Sequence, residues 1–320
     1  MKILYFDCFS GISGDMTLAA LLDLEPNNYE SLIKQLNTLN VEGWQLKTER
    51  RDKNGISSNY IKVITDDAED DHHSHGSHGH SHSHDDHGHS HTHDDEHSHG
   101  HSHEHHSHDD DHGHSHDDHS HDTHSHGHSH GHDHSHEHRN LPMILGIIDN
   151  SELTDGAKHL AGNIFKRLAK AEAKIHGKGI EDVNFHEVGA VDSIIDIIGS
   201  AILLDSIITK HKIERICCSV VNDGHGFTFC QHGKIPVPAP ATAEIFADAY
   251  PRIISRQIDI PKELVTPTGA AIISEIAQSS GLMPELKIIK TGYGAGTRDL
   301  AIPNVLRVIL GESDSSQKKN

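Results

Sequence analysis

The chain has 320 residues, with 27 Lys and Arg, 48 Asp and Glu, 37 His and a formal net charge of −21. Residues 66–138 carry 31 of the His and 19 of the acidic side chains, hold no Lys or Arg, and have Ala68 as their only apolar side chain. The other 247 residues sit at a charge of −2 and are roughly 44% apolar, which is ordinary for a globular domain. These figures exclude one continuous packed core. With no basic surplus anywhere they also exclude a protein that binds nucleic acid or another polyanion.

Cys8, Cys217, Cys218 and Cys230 form no CxxC pair and are too few for a disulfide scaffold. The N-terminus lacks the long apolar core of a signal peptide. The greasiest run, residues 194–208, is broken by Asp196 and Asp205, so no membrane span is expected and a cytoplasmic location follows.

In chain order, residues 2–6 read as a short buried strand, 7–15 as a loop with two glycines, and 16–24 as a helix. Residues 29–39 read as an amphipathic helix, and 45–50 and 60–64 as strands. Structure resumes near Leu141 with a short apolar segment, 142–150. A strong helix covers 157–176, with Leu160, Ile164, Leu168 and Ala171 on one face and Gly177 and Gly179 ending it. A second long helix covers 193–209, and 216–221 reads as one strand. Gly224-His225-Gly226 and His232-Gly233 read as loops. Pro236, Pro238 and Pro240 force an extended path into a helix over 241–249. Thr266-Pro267-Thr268-Gly269 starts a helix over 270–279. Residues 286–291 and 305–310 read as strands around a glycine-rich loop. The alternation gives an α/β class, a mixed strand-helix core interrupted by a long insert. The expected division is 1–65 and 139–311 as two parts of the core, 66–138 as the insert, and 312–320 as a polar tail.

The insert repeats His-Ser-His-Gly-His with interspersed Asp. Without apolar side chains it does not offset the entropy of ordering, so it is expected to be disordered. Neutral imidazole suits Ni²⁺, Cu²⁺ and Zn²⁺, with carboxylates as auxiliary ligands. His at i, i+2, as in His80 and His82, His101 and His103, and His128 and His130, wraps an ion in many registers. The plainer reading is a low-complexity solvating segment.

Four constellations in the core carry chemistry. Asp7 and Asp15 flank Ser10, Gly11, Ser13 and Gly14, a strand end and helix start suited to a cation or a phosphate; Asp15 equally reads as a helix cap. His186 and Glu187 precede Asp192 and Asp196, which share a helix face. Together they suit a divalent metal or a metal with a general base, against a cap and surface residues. His225 and His232 flank Cys230 in loops, as a soft metal site or as surface residues. Gly292-Tyr293-Gly294-Ala295-Gly296 with Arg298 brings the backbone close to something, a phosphate or carboxylate or merely a turn. Thr266 and Thr268 offer a further anion site, with capping the more economical reading.

The segments DCFSGISGDM, HEVGAVDSIIDI, HGKIPVPAPAT, ELVTPTGAAI and GYGAGTRDLAIPNVLRVILGE together resemble the LarC family, nickel-insertion proteins for the nickel-pincer nucleotide of lactate racemase. The resemblance runs from Lys2 to about Gly311. It implies a lyase-class, CTP-dependent cyclometallation, with Mg²⁺ or Mn²⁺ accompanying CTP. Ni²⁺ enters pyridinium-3,5-bisthiocarboxylic acid mononucleotide through two sulfurs and a ring carbon. His186, Glu187 or Asp192 would take the ring proton; glycine loops, helix starts and Arg298 would hold the anionic groups. Family members continue beyond the last segment as a small domain linked with nucleotide binding. A separate C-terminal polypeptide is therefore expected as partner, beside a recipient pincer-dependent enzyme and a homo-oligomeric state. The competing function is a non-enzymatic nickel storage or delivery protein.

Overall fold

β1 (Lys2–Asp7) places Leu4 and Phe6 in the main core and Ile3 and Tyr5 in a smaller apolar cluster across the sheet, so its short greasy run is a strand covered on both sides. The computed structural model describes residues 1–65, 139–185 and 189–314. The histidine-rich insert, His186, Glu187 and most of the polar tail therefore lie outside the described residues, as do the expectations placed on them.

A loop leads to α1 (Gly14–Leu24), nine of whose eleven residues are buried. α2 (Tyr29–Leu36) ends in a 3₁₀ turn, Asn37–Leu39, and stops at Asn40 with a φ of 53°. β2 (Trp44–Lys53) and β3 (Ile56–Thr65) form one hairpin, longer than the two strands expected. Its turn is Asn54-Gly55, with φ of 54° and 84°, the conformation a tight hairpin needs and these residues tolerate best.

The apolar segment after Asn140 is a helix, α3 (Leu141–Asp149), because the Asn140 side chain caps it by accepting from the Met143 N–H and Pro142 stands in the first turn. α4 (Asp155–His176) is capped by Thr154 and stopped by the left-handed Gly177. α5 (Val191–His211) follows. The single strand expected over 216–221 is two: β4 (Arg215–Cys218) stays beside β1, whereas β5 (Val221–Asp223) leaves to pair elsewhere.

The loop positions expected at 224–226 and at His232 are found as loop and turn, whereas Gly233 begins a strand: β6 (Phe227–Cys230) and β7 (Gly233–Pro236), joined at His232, make a small hairpin of their own. α6 (Pro240–Asp248), β8 (Ser255–Gln257), which pairs with β5, and α7 (Pro267–Ile276) complete the middle of the chain. β9 (Lys287–Ala295) and β10 (Val305–Glu312) close it.

The main sheet has the order β2-β3-β9-β10-β1-β4 and is mixed: β1 runs parallel to β4 and β3 to β9, the other neighbours antiparallel. α1 lies on β9, β3 and β10, α5 packs on α1, and α4 packs on α5 and on α3, α6 and α7. Each fully buried Leu or Ile in this stack contributes about 1.5–3 kcal/mol. The glycine-rich segment expected as a loop is the second half of β9. A Cβ on Gly292 would stand 2.2 Å from the Ala20 carbonyl oxygen, and one on Gly294 2.0 Å from that of Met16. The close approach read from these glycines is made by the backbone of α1. Among the described residues no helix is long and apolar enough to cross a membrane.

Candidate functional site: a cleft ringed by helix starts

Two distant segments are pinned together at the base of the site. Gly11, with a φ of 83°, lies so close to Leu264 that a Cβ there would stand 2.0 Å from the Leu264 carbonyl oxygen. Ile12 N–H donates to that oxygen (3.0 Å) and Thr266 N–H donates to the Ile12 carbonyl (3.1 Å). Asp223, fully buried, secures the other side of the same loop. Its Oδ1 accepts from the backbone N–H groups of Gly224, Leu264 and Val265 at 2.8, 2.9 and 3.1 Å. α1 and α7 therefore begin side by side. Gly14 admits a third helix: its missing Cβ would stand 2.9 Å from Thr268 Cγ2 and 3.0 Å from Asp196 Oδ2.

These starts open on a cleft of about 660 Å³. Its walls include the first turns of four helices: Ser13, Gly14 and Asp15 of α1, Asp192, Ser193 and Asp196 of α5, Pro240 and Ala241 of α6, and Pro267 and Thr268 of α7 behind Thr266. Tyr60 to Val63 of β3, the end of α4 at Glu172, Ile175 and His176, Phe185, Glu263, Thr297 and the β6–β7 hairpin supply the rest. The Thr266 side chain caps α7 by accepting from Gly269 N–H, whereas the residues preceding α1, α5 and α6 make no side-chain cap. On α5 the Ser193 N–H already donates to Asp192 Oδ1 (2.8 Å) and on α1 the Met16 N–H donates to Asp15, and Pro240 brings no N–H to α6; the other N–H donors of these starts and their positive dipole ends suit an anion.

Carboxylates stand among those donors. Burial pushes the Asp15 carboxyl above its usual range; hydrogen bonds from Ser13 and the Met16 backbone oppose this and Asp192 adds to it. Asp196 is pushed well above that range, first by burial and then by Asp15 and Asp192. Its Oδ1 is buried without a hydrogen-bond partner. Such a group of like charges favours the uptake of a proton or a cation. Among the described residues no three His, Cys, Asp or Glu form a ready metal cluster.

The structure sorts the expected site residues. Ser13, Gly14, Asp15, Asp192, Asp196, Thr266, Thr268 and His232 line the cleft. Asp7 does not: it turns to Arg307 on β10, its registered neighbour, which donates to Asp7 Oδ2 through Nε (3.0 Å) and a terminal nitrogen. Ser10 and Gly11 are buried beneath the floor. His225 is exposed and faces Asp259 at 3.3 Å. Gly294 packs on α1, Gly296 on Asn304, and Arg298 is exposed, donating to the Glu263 carbonyl oxygen. His186 and Glu187 follow the cleft residue Phe185 in sequence. Glu172, His176, Phe229, Glu263 and Asp223 were not singled out from the sequence. His176 read only as the last residue of a helix, and nothing local distinguishes it.

A family model described as nickel insertion protein matches residues 4–320. The chain is 39% identical over 318 residues to a protein of Acetivibrio thermocellus named pyridinium-3,5-bisthiocarboxylic acid mononucleotide nickel insertion protein, covering 99% of this chain and 62% of that one. It is 41% identical to a protein of the same name from Clostridium kluyveri, covering 99% and 64%. It is 37% identical to a putative nickel insertion protein of Dictyoglomus thermophilum, covering 100% and 63%. The chain thus spans less than two thirds of the length of these relatives. No solved structure matches it significantly.

Proposed function

Because this chain belongs to the nickel insertion protein family, we propose that its cleft inserts nickel into pyridinium-3,5-bisthiocarboxylic acid mononucleotide, the substrate in the names of its relatives. The observation that carries the reading is the meeting of helix starts lacking side-chain caps with Asp15, Asp192 and Asp196 in one cleft. The substrate's name describes a phosphate and two thiocarboxylates on a cationic ring. Helix starts suit its anionic groups. The carboxylates balance the ring charge, and Phe229 on β6 offers it an aromatic face.

Nickel is a substrate here. Two sulfurs and a ring carbon would bind it, and making the carbon bond releases a proton from that carbon. Asp192, in the cleft, is the described residue we assign to receive it, with His186 and Glu187 beside it in sequence. Asp15 and Asp196, whose carboxyls hold protons more tightly than usual, keep that proton within the cleft. A lyase-class reaction follows.

We assign CTP, with Mg²⁺ or Mn²⁺, to a complex of this chain with a separate C-terminal polypeptide, as the resemblance to the family implies. The helix starts would take a phosphate chain. The product passes to a recipient pincer-dependent enzyme such as lactate racemase.

The test mixes the chain with nickel, CTP and the dithiolated mononucleotide, with and without the C-terminal polypeptide. Mass spectrometry should find a nickel-bearing product whose ring has lost one hydrogen. Bound nickel with no such product in either mixture would favour a storage or delivery protein instead.

A further inference from the structure

We infer that His176 and His232 form a two-imidazole nickel hand-over site in the wall of the cleft, with Glu172 as the positioning residue that orients His176. The inference deepens the nickel-insertion reading and rests on it.

His176 ends α4 and His232 lies in the turn of the β6–β7 hairpin, so two elements far apart in sequence bring the rings together. Their centroids are 4.9 Å apart with the planes inclined at 46°. A metal–nitrogen bond of about 2.0–2.1 Å places an imidazole centre about 3.2 Å from the metal. Two such rings at ligand angles of about 90–110° then stand about 4.5–5.2 Å apart. The observed separation falls inside that interval.

Glu172 supplies the second argument. Its Oε2 stands 3.3 Å from His176 Nε2, one helical turn back on α4. Histidines that bind metals commonly donate their other ring N–H to a carboxylate, which sets the tautomer and strengthens the ligand. A carboxylate beside Nε2 favours the proton there and makes Nδ1 the nitrogen we assign as the ligand.

The chemistry of the acceptor explains why two ligands suffice. An ion bound by four protein groups is held in a closed, structural site, whereas one destined for transfer keeps open positions. Two imidazoles leave positions for the thiocarboxylate sulfurs, a softer set to which nickel then moves. All three residues line the same cleft as the helix starts, so the ion arrives beside the substrate's proposed position.

The test uses the full chain and nickel chloride as the probe, in excess over its 37 His. Carbethoxylation of each histidine is followed peptide by peptide by mass spectrometry. At nickel about ten times the dissociation constant of the site, His176 and His232 should be modified on the order of tenfold more slowly, while His159 and His225 keep their rates. His232→Gln should abolish the protection of His176. Glu172→Gln should raise the nickel needed for half-protection by about 10–100-fold.

Unchanged rates for both rings in the unsubstituted chain at saturating nickel would overturn the inference and leave their contact as ring packing only. That readout needs no turnover. If wild-type chain makes the nickelated product with both rings unprotected, this inference fails alone. If the rings are protected and no product forms even with the C-terminal polypeptide, the nickel-insertion reading fails and the metal site stands.

Discussion

Asp196→Asn should stabilise the protein while disabling the cleft. Asp196 sits on the first turns of α5 with Oδ1 buried and unpartnered, Oδ2 against Gly14, and Asp15 and Asp192 close enough to raise its proton affinity. Leaving a buried polar atom unsatisfied costs about 1–3 kcal/mol, and a charged one costs more. Asparagine keeps the shape and removes the charge, so unfolding free energy at neutral pH should rise by about 1–2 kcal/mol. For a folded unit of this size that is a gain of about 2–8 °C in midpoint.

The pH dependence identifies the cause. The folded-state carboxyl is raised above its unfolded value of 3.8, so the folded protein binds the proton more tightly and wild-type stability falls as pH rises above that value. The substitution removes this slope. Its benefit should therefore be small near pH 4 and full once wild-type Asp196 is ionised. Urea titrations of both proteins from pH 4 to 8, with nickel insertion measured in parallel, make the comparison. Insertion should fall by about 10²-fold or more if the carboxylate handles the proton or the ion. A variant that is less stable at pH 7, or equally favoured at pH 4 and pH 8, would refute the electrostatic reasoning. Full activity would remove Asp196 from the proposed site.

Other outcomes follow from the same structure. Burial opposes ionisation of Glu25, yet hydrogen bonds from Lys210, His211 and Lys290 hold its carboxyl down to about 2. Its contribution is present above the unfolded value of 4.5 and is lost as pH falls towards 2. With two of the cations about half exposed, Glu25→Gln should cost about 2 kcal/mol at pH 7 and almost nothing at pH 2, read by denaturant unfolding. Gly294→Ala should abolish folding or cost about 3 kcal/mol or more by circular dichroism melting, because the new Cβ meets the Met16 carbonyl of a fully packed helix. Nickel bound by the full chain should fall between pH 7 and pH 5, as imidazoles with a free pKa of about 6.5 protonate. Equilibrium dialysis showing constant stoichiometry would contradict imidazole ligation.

Much of the architecture was legible because short-range physics sets it. Thr154 and Gly177 mark both ends of α4, and Thr266-Pro267 marks the start of α7, through capping groups next to the helix itself. Asn54-Gly55 was an equally local hairpin signal, passed over because the strands around it are mostly polar. The division of 216–221 into two strands had no local mark, since only the partners β1 and β8 separate them.

The sequence by itself determined where charge and imidazole are concentrated, which helices form, and the motifs that place the chain in its family. Those properties are written within a few residues or in composition. Only the tertiary structure decided that Gly292 and Gly294 serve α1, that Asp7 is neutralised by Arg307, and that His176 meets His232 beside Glu172. Each depends on partners far along the chain, brought together when apolar faces are buried, and sequence spacing carries no record of which distant backbone or ring will arrive.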